Sequence, residues 1–142
     1  MSTKMIRTAL ATMALLLGAQ AAQAEVAVVV SAKSPVGNLS ADQVSQIFLG
    51  KSNNFPGGGQ ATPIDQAEGA ATREEFYTKV TGKSAAQVKA YWSKLIFTGK
   101  GQPPKEVSGD GAVKKALAEN PGAIGYIEKS SVDGSVKAVL TQ

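Results

Sequence analysis

The residues best placed to do chemistry lie in Pro63–Phe76 (PIDQAEGAATREEF). The pattern predicts a strand ending near Asp65, a loop of small residues, and a helix opened by the capping box Thr72-x-x-Glu75. Unpaired N–H groups at a helix start point at whatever sits there, and the helix dipole adds partial positive charge. Gly69, Ala70 and Ala71 carry little side chain to obstruct a bound anion, and Thr72 offers a hydroxyl donor. The chemistry on offer is oxyanion binding. The plainer alternative is an ordinary strand-to-helix connection whose threonine only caps the helix, and the local pattern by itself favours that alternative. Asp65 and Glu68 flank the same loop and would repel a dianion.

Other chemistries are poorly supplied. The chain has no His and no Cys, so it lacks the commonest general base and transition-metal ligand and has no thiol or disulfide. It contains no G-x-S-x-G elbow and no S-x-x-K. Gly57-Gly58-Gly59 is not followed by the G-K-[ST] of a P-loop. Lys51, Lys83 and Lys100 sit in or near loops, without the apolar surroundings that make a lysine nucleophilic. Asp42, Asp65, Glu68, Glu74, Glu75 and Asp110 show no metal-ligand spacing. The expectation is a protein that is not an enzyme and uses no metal or cofactor. No basic stripe with interleaved aromatics is present, so nucleic acid is not an expected partner.

The elements that must position these residues can be read in order. Lys4 and Arg7, the apolar run Thr8–Leu17 and the small residues Ala22-Gln23-Ala24 form a secretory signal pattern, with cleavage expected after Ala24. Residues 25–142 are then expected to form one domain outside the cytoplasm. The apolar run falls short of the roughly 20 residues a spanning helix needs, and no later segment is apolar enough to span. Lys4 and Arg7 account for two charges of the net +4, so the remainder is nearly balanced.

Glu25–Ala32 reads as a buried strand. Ser40-x-x-Gln43 is a capping box opening a helix that carries Val44, Ile47 and Phe48 and closes at Gly50. Lys51–Gln60 reads as a mobile loop and Ala61–Asp65 as a second strand. The helix opened at Thr72 carries Phe76 and Val80 and ends at Gly82. Ser84-x-x-Gln87 opens a third, with Val88, Tyr91, Trp92, Leu95 and Ile96 as its core stripe. The Tyr91–Trp92 pair could form a ligand platform, but helical spacing already explains it as core. Lys105–Val107 is a short strand. Ser108 or Asp110 caps a fourth helix with Val113 and Leu117 inward, stopped at Asn120-Pro121-Gly122. Ala123–Ile127 and Ser135–Leu140 are the last strands. The order β-α-β-α-α-β-α-β-β predicts an α/β three-layer sandwich with a mostly parallel sheet.

Four segments together carry a resemblance. Asn38-Leu39-Ser40, Gln43 through Ile47-Phe48-Leu49-Gly50-Lys51, Pro63–Phe76, and Pro121-Gly122-Ala123-Ile124-Gly125-Tyr126 run in the order seen in phosphate-binding proteins of phosphate ABC importers. The resemblance covers essentially all of residues 25–142 and concerns the second lobe of that family's clamshell. It implies half of a type II periplasmic-binding fold. In the family, the second lobe grips phosphate through an arginine followed, after three residues, by Ser-Gly-Thr. Here the arginine position falls on Gln66, the serine on Ala70, the glycine on Ala71 and the threonine on Thr72. Arg73 lies one residue beyond. The ligand set the resemblance implies is therefore Gln66, Gly69, Ala70, Ala71, Thr72 and Arg73, with a neutral amide in place of a bidentate charged fork.

The implied ligand is inorganic phosphate or a similar oxyanion. The implied partners are an ABC transporter permease, a second copy of the chain or another periplasmic protein. A lone lobe leaves its ligand hydrated, so affinity near millimolar is expected. The alternative function is a periplasmic interaction or sensory module whose ligand site has decayed.

Overall fold

Val26–Ser31, six consecutive buried residues, forms the strand β1. Such a run can be satisfied only inside a sheet covered on both faces. The computed structural model describes residues 25–142, and the expected signal segment and its cleavage point lie outside them. The further elements are α1 (Ala41–Phe48), β2 (Thr62–Gln66), α2 (Ala71–Phe76, continuing as a π-helical turn over Tyr77–Thr81), α3 (Ala85–Phe97), β3 (Lys105–Val107), α4 (Asp110–Glu119), β4 (Ala123–Glu128) and β5 (Val136–Thr141).

The strands lie in the order β3-β2-β4-β1-β5. β2 pairs in parallel with β3 and β4, whereas β1 pairs antiparallel with both β4 and β5. Four of the five strands therefore point one way and β1 alone is reversed. This is the expected α/β sandwich with a mostly parallel sheet. Its antiparallel contacts all come from the inserted β1.

Side-chain alternation divides the core. Val28, Val30, Ile124 and Tyr126 join Val44, Phe48, Phe76 and Trp92 under α1–α3. Ala27, Val29 and Ile127 join Val113 and Leu117 of α4 on the opposite face. Gly125 marks how close α4 lies: a Cβ there would stand 2.6 Å from Val113 Cγ1.

Two predicted capping boxes form as expected, at Ser40–Gln43 and Ser84–Gln87. The third does not. α2 starts from Ala70 as N-cap, without a side-chain cap bond, and Thr72 falls inside the first turn. α4 likewise starts from Gly109, at φ 90°, rather than from Ser108 or Asp110 as cap. The α3 stripe buries Val88 and Trp92 and half-buries Tyr91 and Leu95. Ile96, the last member of the stripe, is 53% exposed. Lys51–Gln60, expected as a mobile loop, closes on itself through an Asn54–Gln60 bridge and buries Phe55.

Candidate functional site

β2 delivers Asp65 and Gln66 to the carboxyl end of the parallel half of the sheet, where open α/β sheets bind ligands. Both side chains are buried. The chain then turns through Gly69, whose φ of 87° suits only glycine, and enters α2 at Ala71.

Asp65 is the hub of a polar cluster. Its carboxylate accepts hydrogen bonds from the Tyr126 hydroxyl, from Tyr77 Oη at 2.5 Å and from the Gln66 N–H at 2.9 Å. Arg73 Nη1 lies 3.8 Å from Asp65 Oδ2 and 2.7 Å from Glu106 Oε1, and it donates to the Gln66 carbonyl at 2.9 Å. Burial pushes the Asp65 carboxyl above its usual range, against the opposing pull of Tyr126, Tyr77 and Arg73. Burial also works against the Arg73 charge, but Asp65 and Glu106 outweigh it and raise the guanidinium pKa. Tyr77 and Tyr126 are held firmly neutral by burial and by the adjacent Asp65.

The expected ligand residues therefore divide. Arg73, expected as an anion contact, is instead 5% exposed and paired with two carboxylates. Gln66 is 2% exposed, and its Nε2 donates to Asp110 Oδ1 and to the Tyr126 carbonyl, both at 2.9 Å. The Ala70 N–H bonds to the Ala67 carbonyl at 3.1 Å. What stays together at the surface is Gly69, Ala71 and Thr72. The first intrahelical bonds run from Arg73 and Glu74 to the Ala70 carbonyl, so the Ala71 and Thr72 N–H groups precede them and have no partner within the helix. The repulsion expected of Glu68 is offset, since Lys89 Nζ lies 2.8 Å from its carboxylate and lowers its pKa.

Sequence reasoning missed Tyr77, Glu106, Asp110 and Tyr126 as members of this neighbourhood. Only Tyr126 carried a signal, as the last residue of Pro121–Tyr126. Among the described residues, no group of His, Cys, Asp or Glu could hold a metal ion, and no helix is long and apolar enough to cross a membrane.

A family model described as PBP superfamily domain matches residues 19–139. Among solved structures, the chain is similar to a Clostridium perfringens protein solved with bound phosphate and assigned to the substrate-binding proteins of phosphate ABC transporters. The identity is 28% and the TM-score 0.64, over 82% of this chain and 45% of that one. An ABC-type phosphate transport receptor from Vibrio cholerae shares the fold at 23% identity and a TM-score of 0.64, over 82% of this chain and 46% of that one. The chain thus spans about half the length of the solved proteins it matches.

Proposed function

We propose a function from one premise, that this chain belongs to the PBP superfamily. On that basis it is a periplasmic oxyanion-binding lobe, similar to the substrate-binding component of a phosphate ABC transporter. It binds inorganic phosphate or a close analogue weakly and does not transform it. Gly69, Ala71 and Thr72 form the ligand-facing edge, with N–H groups and the Thr72 hydroxyl as donors. Gln66, Ala70 and Arg73 shape the loop from behind. The observation that carries this reading is the open start of α2, with uncommitted N–H groups, in a lobe whose Clostridium relative was solved with phosphate.

Affinity in the millimolar range follows from the donor count. About 4 kcal/mol corresponds to a millimolar Kd. Three or four hydrogen bonds to a charged, still hydrated ligand at ~1–1.5 kcal/mol each supply about that much. Tighter binding needs a second surface to close the site, from a transporter permease, a second copy or another periplasmic protein.

A second reading is an interaction or sensory module. The commitment of both Gln66 and Arg73 to internal partners favours it. Titration calorimetry of residues 25–142 with phosphate and with sulfate separates the two. Heat saturating in the millimolar range supports the oxyanion lobe. No heat with either anion up to tens of millimolar transfers the function to the second reading.

A further inference from the structure

Asp110 opens α4 directly after Gly109 and joins three other segments at one carboxylate. Its Oδ1 accepts from Gln66 Nε2 at 2.9 Å. Its Oδ2 accepts from Ser131 Oγ at 2.7 Å and from the Glu128 N–H at 3.3 Å. Its position at the start of a ten-residue helix adds the favourable end of the dipole. A primary amide has two hydrogens to give. The Gln66 amide gives one to Asp110 and one to the Tyr126 carbonyl, and the residue is almost wholly buried.

We propose that Asp110 is the positioning residue for side chain 66: it holds the Gln66 amide inside the lobe and places a fixed negative charge behind the β2–α2 loop, which keeps oxyanion binding weak. This deepens the oxyanion reading and rests on it for the ligand. Two consequences can be separated. The grip on Gln66 needs an acceptor at position 110, whereas the effect on an anion needs the charge. Asp110→Asn keeps an acceptor oxygen and removes the charge. Asp110→Ala removes both.

The proposal also bears on the family's arginine. In Gln66→Arg the guanidinium would meet Asp110 before any ligand. Phosphate affinity should therefore rise little in Gln66→Arg alone, and rise further in Gln66→Arg/Asp110→Asn than in Asp110→Asn alone.

The test combines side-chain NMR with phosphate titration on residues 25–142 of wild type, Asp110→Asn and Asp110→Ala. The Gln66 Nε2 hydrogens are assigned by their loss in Gln66→Met. They should exchange slowly in wild type and in Asp110→Asn, and about tenfold faster in Asp110→Ala, the worth of one hydrogen bond to a charged group. Phosphate affinity should rise about five- to tenfold in both variants, as for removal of one charge whose effect on a surface anion is screened by solvent. Fast exchange in wild type, or equal exchange in wild type and Asp110→Ala, overturns the proposal whether or not phosphate binds. Should Asp110→Ala fail to fold, wild-type exchange and the affinity of Asp110→Asn still decide it. If exchange responds as expected but none of the proteins binds phosphate, the grip on Gln66 stands and the oxyanion reading is what fails.

Discussion

The Tyr77 hydroxyl donates to Asp65 Oδ2 at 2.5 Å, tying the first residue after α2 to the end of β2. Through this bond, and the matching one from Tyr126, a buried carboxylate becomes an anchor between α2 and the end of β2.

Stability should depend on pH through Asp65. Its folded pKa is raised, chiefly by burial, so the folded state holds this proton more tightly than the unfolded chain does. The resulting stabilisation is fully present below the unfolded value of about 3.9 and is lost as pH rises through the folded value. Wild type measured against Asp65→Asn in urea should be relatively most stable at low pH and lose that advantage across this window. A difference that is flat, or that grows with pH, contradicts a raised Asp65.

Removing the cation should expose the cluster's dependence on charge pairing. Arg73→Met leaves Asp65 without its cation and the Gln66 carbonyl without a donor. The expected loss is about 3 kcal/mol, the low end for breaking a buried pair. Arg73→Met/Asp65→Asn should recover part of it, read as a coupling energy in a double-mutant cycle. A loss below ~0.5 kcal/mol in the single mutant would place Arg73 in solvent.

Trp92 is 6% exposed and fills the space that Gly50 leaves open. A Cβ at Gly50 would lie 2.8 Å from Trp92 Cη2. Trp92→Ala should cost about 3–5 kcal/mol, as for deletion of a buried large aromatic. An unmoved denaturation midpoint would make the indole a surface group.

Thr72 separates a capping role from a ligand role. The sequence pattern gives Thr72 the cap, so Thr72→Val would cost about 1 kcal/mol of stability. With Ala70 as N-cap, Thr72→Val should instead leave stability within ~0.5 kcal/mol of wild type. It should weaken phosphate binding by about 1–2 kcal/mol, the worth of a hydrogen bond to a charged ligand. A thermal shift with unchanged binding would reverse the assignment.

Thr72 also shows where legibility stops. Ser40–Gln43 and Ser84–Gln87 form as predicted because a capping box is closed by residues three apart. Thr72–Glu75 fits the same motif, but the phase of α2 is set by Arg73, Phe76 and Tyr77, which reach inward to Asp65 and the core. Gly69 supplies the turn that lets the helix begin early. The strands and their succession along the chain were legible from apolar runs and turn residues, whereas their order within the sheet was not. The Asp65 cluster was not: its partners Tyr126 and Asp65 are 61 residues apart, and Arg73 and Glu106 are 33 apart. No local pattern marks an arginine that will be buried. Ile96 matched the α3 stripe yet is 53% exposed, since spacing marks a helix face without showing what covers it.

The most direct measurement of the central claim is a phosphate titration of residues 25–142 followed by backbone amide NMR. The account predicts saturable shifts in the millimolar range, largest at the Gly69, Ala71 and Thr72 amides and small at Ala70, whose N–H is already bonded to Ala67. Shifts absent from these amides, or concentrated instead on lysine-rich surface far from the β2–α2 loop, would contradict it.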